Sequence, residues 1–357
     1  MNTNHVDVLI IGAGLSGVGA ACHLRRECPS KTFAIVERRK SMGGTWDLFK
    51  YPGIRSDSDM FTLGYNFKPW KGTKVLASGP EIKKYIQEAA KENNVEDHIH
   101  FGLKGEKLEW DTDSATWTLT SVNEETGEKN IFTANFVIGC TGYYNYDKGY
   151  APNFPGIKQF KGQVVHPQFW PEDLKYEGKK VVVIGSGATA ITLIPSMADK
   201  TEHITMLQRS PTYVASVPSV DPFSERLRKF LPMSAVYRLG RARNVGLQRM
   251  IYQMCRKRPT TMRRLILRAI ERRMGPDFDM KHFSPTYNPW DQRLCVVPDS
   301  DLFRCIKRGK ASIETDHIDT FTEKGIKLKS GKELEADIVI TATGLDLQMV
   351  GGMDLVV

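Results

Sequence analysis

A chain of 357 residues has room for about two domains. Its 41% hydrophobic and 25% charged residues fit packed cores and argue against wholesale disorder. Fifty Lys and Arg against 41 Asp and Glu leave a net charge of +9, which over this length does not demand nucleic acid as a partner. The six cysteines are scattered without a C-x-x-C pair, so neither a disulfide scaffold nor a cysteine-rich metal module is expected, and a reducing, cytoplasmic setting is the simpler reading.

The first segment, Val6 to Ile11, is apolar and β-branched, as a strand buried on both faces requires. Gly12 to Gly17 and a helical stretch to Arg26 follow, then a second apolar run from Thr32 to Val36 that ends on Glu37. This is β-α-β spacing. The uncharged run from Val8 to Cys22 is too short to span a membrane, is broken by glycines, and follows Asp7 rather than a cationic segment, so it does not read as a signal peptide. Met42 to Lys74 has no clear period and reads as loop with short helical pieces. Pro80 opens a helix with Ile82, Tyr85, Ile86 and Ala89 on one face. Lys107 to Tyr144 reads as a β-meander with a turn at Glu124 to Lys129.

A second β-α-β begins at Lys179, with Val181 to Ile184, a glycine turn, a helix, and His203 to Arg209. The opening pattern thus recurs later in the same chain. Between Glu225 and Met274 lie 15 Lys and Arg and two Glu, which leaves the rest of the chain net −4. Helical spacing of Met262, Leu265, Ile266 and Ala269 marks this stretch as a basic helical insertion, solvated or, alternatively, contacting a membrane surface. Short strands return at Ala311 to Thr315, Ile326 to Leu328 and Ile338 to Thr341.

Gly12-Ala13-Gly14-Leu15-Ser16-Gly17 is a G-x-G-x-x-G turn between strand and helix. Gly12 permits the tight turn, Gly14 lets the backbone approach a pyrophosphate, and Gly17 lets the helix pack on the strand. Glu37 stands at the end of the second strand, where a carboxylate accepts bonds from ribose hydroxyls. Gly185-Ser186-Gly187-Ala188-Thr189-Ala190 is a second fingerprint, and its following strand ends on Arg209 instead of an acid. A guanidinium there suits a 2′-phosphate, so the second site is expected to take NADPH. Two dinucleotide sites in one chain suggest a relay in which one holds a flavin and the other delivers a nicotinamide to it.

Phe160-Lys161-Gly162-Gln163-Val164-Val165-His166-Pro167-Gln168-Phe169-Trp170-Pro171 resembles the fingerprint F-x-G-x-x-x-H-x-x-x-W-[P/D] of the Baeyer–Villiger monooxygenase family. Gly43-Gly44-Thr45-Trp46, Tyr51 to Asp57, Cys140 to Tyr144, Tyr287 to Leu294 and Ala342-Thr343-Gly344 extend the resemblance over nearly the whole chain. The related N- and S-oxidising flavin monooxygenases usually carry another aromatic at the place of Trp170. The resemblance implies an α/β protein of two dinucleotide-binding, Rossmann-like domains with a helical insertion in the second. The expected boundaries are 1–145 for the first part of an FAD domain, 146–220 with 291–330 for an NADPH domain, 221–290 for the insertion, and 331–357 for an incomplete return to the first domain.

What it implies for residues is specific. Gly12, Gly14, Gly17, Glu37, Gly44, Trp46 and Asp57 would hold FAD, with Thr343 and Gly344 near the flavin. Gly185, Gly187, Ala190 and Arg209 would hold NADPH. Arg293 would be the active-site arginine, oriented by Asp57, and His166 would lie between domains in a structural role. No metal is implied. The implied reaction passes a hydride from NADPH to FAD and inserts one atom of O2 next to a ketone carbonyl, with thioamides or sulfides as further substrates. Members of that family continue beyond the Ala342-Thr343-Gly344 segment, so the chain is expected to be C-terminally truncated. Three readings stand at this point: a ketone-oxygenating enzyme, a sulfur- or nitrogen-oxidising one, and an uncoupled or inactive dinucleotide-binding remnant.

Overall fold

The computed structural model describes residues 3–72, 74–292 and 294–357, with side chains from His5 onward. In chain order, β1 (Thr3–Ile11), α1 (Leu15–Glu27) and β2 (Phe33–Glu37) form the first β-α-β, and all five residues of β2 are buried. α2 (Thr45–Leu48) and α3 (Met60–Leu63) are the short helical pieces of the aperiodic segment. α4 (Gly79–Glu92) buries Ile82, Tyr85, Ile86 and Ala89, the face set by its i, i+3, i+4 spacing. β3 (Ile99–Phe101) precedes the meander of β4 (Leu103–Asp111), β5 (Thr116–Asn123) and β6 (Lys129–Gly139), and β7 (Tyr144–Gly149) follows.

β8 (Gln163–Val165), β9 (Lys180–Ile184), α5 (Ala188–Met197) and β10 (His203–Gln208) carry the second β-α-β. β11 (Tyr213–Val217) leads into the insertion, α6 (Pro222–Leu227), α7 (Met233–Lys257) and α8 (Pro259–Met274), which is helical as its spacing predicts. β12 (Leu294–Pro298), α9 (Asp301–Lys307), β13 (Ala311–Thr315), β14 (Ile318–Phe321), β15 (Gly325–Leu328), β16 (Glu333–Glu335), β17 (Ile338–Thr341), β18 (Leu345–Leu347) and β19 (Asp354–Val356) complete the chain.

Two compact units result. The first comprises Met1–Phe49, Gly79–Tyr150 and Leu345–Val357. Its seven-stranded sheet has the order β19-β4-β5-β6-β1-β2-β3, with β6, β1, β2 and β3 parallel. Leu9, Ile11, Val36, Leu119, Phe132 and Met353 pack its core. The second unit comprises Lys50–Ser78 and Ala151–Gly344. Its five-stranded sheet, β13-β10-β9-β17-β8, is parallel throughout. Phe160, Val182, Leu207, Phe321 and Val339 pack against one another there.

The bounds of these units differ from the expected boundaries at Lys50–Ser78 and at Leu345. Lys50–Ser78 belongs to the second unit because α7 and the loop at 59–65 bind each other closely. Asp59 caps α3 and also accepts from Asn244 Nδ2 (2.8 Å) and Gln248 Nε2 (2.7 Å). Arg241 Nη1 donates to the carbonyls of Phe61 (2.7 Å) and Gly64 (3.0 Å), and the Tyr237 hydroxyl to that of Tyr65 (3.0 Å). The return to the first unit comes at Leu345 rather than 331, because β17 inserts between β9 and β8 as a fully buried strand.

Candidate functional site

In the first unit the chain leaves β1 through Gly12, whose φ of 105° and surroundings both demand glycine. A Cβ there would lie 2.4 Å from the carbonyl oxygen of Cys140. The Gly12 amide donates to Val36 O (2.8 Å) and the Cys140 amide to Ile11 O (2.8 Å), so the turn is sewn to the ends of β2 and β6. Gly14 is the N-cap of α1 and has no side chain of its own to cap that end, where the helix dipole suits an anion. Gly17 is buried and packs on the Gly12 carbonyl; its part is steric. Gly43 donates to Ala13 O (2.9 Å) and Gly44 lies against Gly14, so α2, with half-buried Trp46, runs beside the turn.

Glu37 is 6% exposed. Its Oε2 accepts from the Ala13 amide (2.6 Å) inside the glycine turn and its Oε1 from the Arg39 amide (2.8 Å). Burial pushes this carboxyl above the usual range, against those two bonds. Each oxygen keeps a second lone pair, so the carboxylate braces the loop and can still accept from a ligand hydroxyl. Next to it Asp47, also buried, accepts from Arg39 Nε (2.8 Å) and Nη2 (2.6 Å) and from Lys83 Nζ (2.6 Å). Burial pushes the Asp47 carboxyl up, and the Lys83 and Arg39 bonds outweigh it and leave it below the usual value.

The second unit repeats the device. Gly185 has φ 133°, donates to Leu207 O (2.8 Å), and would carry a Cβ 2.3 Å from the Ala342 carbonyl oxygen. Gly187 caps α5, again with no side-chain cap. Ala190 is fully buried, so it serves helix packing and presents no surface to a ligand. Cys140-Thr141-Gly142 and Ala342-Thr343-Gly344 are thus equivalent segments, each supplying the carbonyl against which its glycine turn closes. Thr343 and Gly344 follow β17 directly, beside the second turn. The strand ends differ. Where the first unit has buried Glu37, the second has Arg209, exposed and without a partner among the described residues. Buried Gln208 before it bonds His282 O and Thr315 Oγ1 (2.8 Å each).

The long fingerprint also divides by role. Phe160 lies in the second core, and a Cβ at Gly162 would meet Asp337 O at 2.3 Å and the Phe160 ring at 2.4 Å. These two residues therefore shape the entry to β8. His166 and Trp170 emerge beyond the carboxyl end of β8, the same sheet edge as Gly185, Arg209 and Thr343. In open α/β sheets that edge is where ligands bind. His166 Nδ1 accepts from the Gln168 amide (3.2 Å).

Asp57 is exposed, between two anchored neighbours: Arg55 pairs with Asp301 (2.7 Å) and Asp59 binds α7. The cap of the segment after it is Asp59. Arg293 lies outside the described residues; Asp291, near it in sequence, pairs with Arg256 (2.5 Å). Three features escape the sequence reading: the two carbonyls that close the turns, the Arg39–Asp47–Lys83 cluster, and the double bond of Glu37 into its own loop. The repeated [CA]-T-G triplet was the one available signal. Among the described residues no His, Cys, Asp and Glu group could hold a metal, and no helix is long and apolar enough to cross a membrane.

The model of the family described as flavin-binding monooxygenase-like matches residues 76–350, and that of an NAD(P)-binding Rossmann-like domain matches residues 10–70. MymA of Mycobacterium tuberculosis is 58% identical over 99% of this chain and 72% of its own length. The FAD-containing monooxygenase EthA of Mycolicibacterium smegmatis is 54% identical over 99% of this chain and 72% of its own. In fold, cyclohexanone monooxygenase bound to ε-caprolactone superposes with a TM-score of 0.79 at 23% identity, covering 99% of this chain and 76% of that one.

Asp47 gives a pH test. Its carboxyl titrates below its unfolded value, so its contribution is present above about pH 4 and is lost as pH falls through the folded value. Asp47→Asn is expected to lower stability at pH 7 by about 2 kcal/mol, discounted for the partly exposed Arg39 and Lys83. Urea unfolding of both proteins should show the gap shrinking towards pH 3. An unchanged gap would contradict the assignment.

Proposed function

Because this chain belongs to the flavin-binding monooxygenase-like family, we propose that it is an NADPH-dependent FAD monooxygenase inserting one atom of O2 next to a ketone carbonyl, with thioamides or sulfides as further substrates. The observation that carries this reading is the pair of matched glycine turns whose strand ends bear opposite charge, Glu37 and Arg209. Both turns fit a pyrophosphate: the backbone is bare at Gly12, Gly14, Gly185 and Gly187, and each faces an uncapped helix start.

Bound FAD supplies the hydride acceptor and the activation of O2. Gly12, Gly14 and the start of α1 are assigned to its pyrophosphate, the free lone pairs of Glu37 to ribose hydroxyls, and Gly44 and Trp46 to the side of the turn. Gly17 acts through packing alone. Thr343 and Gly344, which follow β17, are assigned to the flavin. Gly185, Gly187 and the start of α5, packed through Ala190, are assigned to the NADPH pyrophosphate, and Arg209 to its 2′-phosphate. Arg293 is assigned to hold negative charge on the reacting oxygen, since a guanidinium stays protonated. Asp57, staked between Arg55 and Asp59, is assigned to orient it. Trp170-Pro171 favours carbonyl over nitrogen or sulfur as the main target. A cytoplasmic location belongs to the same proposal and is supported by six free thiols and the use of NADPH.

Reaction with NADPH and isotopically labelled O2 tests it. Mass spectrometry is expected to find one labelled oxygen in an ester or lactone made from a ketone. Turnover of sulfides with none of ketones would move the assignment to the sulfur- and nitrogen-oxidising branch. Arg209→Ala is expected to raise the KM for NADPH about 10- to 100-fold, the value of a charge-assisted phosphate contact, and to leave that for NADH nearly unchanged. Equal effects on the two would remove Arg209 from the phosphate.

A further inference from the structure

The helical insertion carries a surface that the proposed chemistry does not use. Between Glu225 and Met274 its cations outnumber its acids 15 to 2. Several are engaged, as Arg243 is with Asp221 (2.9 Å) and Arg256 with Asp291 (2.5 Å). Arg249, Lys257, Arg258, Arg264, Arg268 and Arg272 are different: all are exposed, and none of their side chains has a hydrogen bond or ion pair among the described residues. Arg264, Arg268 and Arg272 stand at i, i+4 and i+8, one ridge along α8. Like charges at that spacing repel, and no ion pair among the described residues relieves them.

Beside these cations α7 leaves an apolar stripe uncovered. Its first half buries Val236, Tyr237 and Gly240. Leu247, Ile251 and Met254 continue the same face and are exposed, and every residue from Val245 to Met254 is exposed. Tyr252 and Trp290, also exposed, meet ring to ring at 5.7 Å.

We propose that the α7–α8 hairpin docks on an anionic lipid surface. Leu247, Ile251 and Met254 would enter the headgroup–acyl boundary, Tyr252 and Trp290 would sit at the interface, and the arginine ridge would meet lipid phosphates. Charge and apolarity together select this occupant. A duplex nucleic acid would satisfy the arginines and leave the stripe in water. A second copy would bring its own cations against these.

The test is flotation of the purified chain with vesicles of phosphatidylglycerol and phosphatidylcholine at low salt. Binding is expected, with at least a tenfold loss on pure phosphatidylcholine vesicles and a similar loss at about 0.5 M salt. Replacing Arg264, Arg268 and Arg272 together by Gln should weaken binding about a hundredfold, from about fivefold per cation near the surface. Ile251→Ser should weaken it without changing the salt dependence. Circular dichroism checks that the variants fold; if one does not, the lipid and salt series on the unaltered chain decides alone. No flotation at low salt, equal binding to neutral vesicles, displacement by duplex DNA, or self-association abolished by Ile251→Ser would each overturn the proposal.

Discussion

Both units depend on one short-range contact: a glycine α-carbon pressed against a backbone carbonyl from a neighbouring strand. At Gly12 the carbonyl belongs to Cys140, at Gly185 to Ala342. Any larger residue would put a Cβ within 2.4 Å of that oxygen, where no relaxation of a flexible side chain can help. The contact fixes where the strand ends, the direction in which the helix leaves, and which amides and helix starts face outwards. Everything else at the two candidate sites is arranged around that corner.

On this common corner the units diverge through a single residue type at the end of the next strand. Glu37 is turned inwards and made part of the loop by its bonds to Ala13 and Arg39, with Asp47, Arg39 and Lys83 packed behind it. Arg209 stays exposed, its guanidinium uncommitted among the described residues. The repeated scaffold thereby offers an acceptor at one strand end and a permanent cation at the other. The loop bearing Asp57 gains its position from the second unit through Arg55–Asp301 and Asp59–Asn244.

Much of this was legible in the sequence because it rests on local rules. Val8 to Ile11 and Val181 to Ile184 read as buried strands, the glycine spacings read as turns, and the face of α4 followed from its period. The three-residue strands β3 and β8 were not legible, because so short a strand is defined by its partner. Nor was the allegiance of Lys50–Ser78, which is decided by side chains of α7 remote in sequence. The carbonyls of Cys140 and Ala342 carry no residue signature at all, since any amino acid offers the same oxygen.

The central claim is that the two corners are separate cofactor sites, and visible spectra of Gly12→Ala and Gly185→Ala before and after NADPH under nitrogen test it most directly. Gly12→Ala is expected to purify colourless while still binding an immobilised NADP analogue. Gly185→Ala is expected to purify yellow, to resist bleaching by NADPH, and to bleach with dithionite. Full flavin in Gly12→Ala, or normal bleaching of Gly185→Ala by NADPH, would contradict the account.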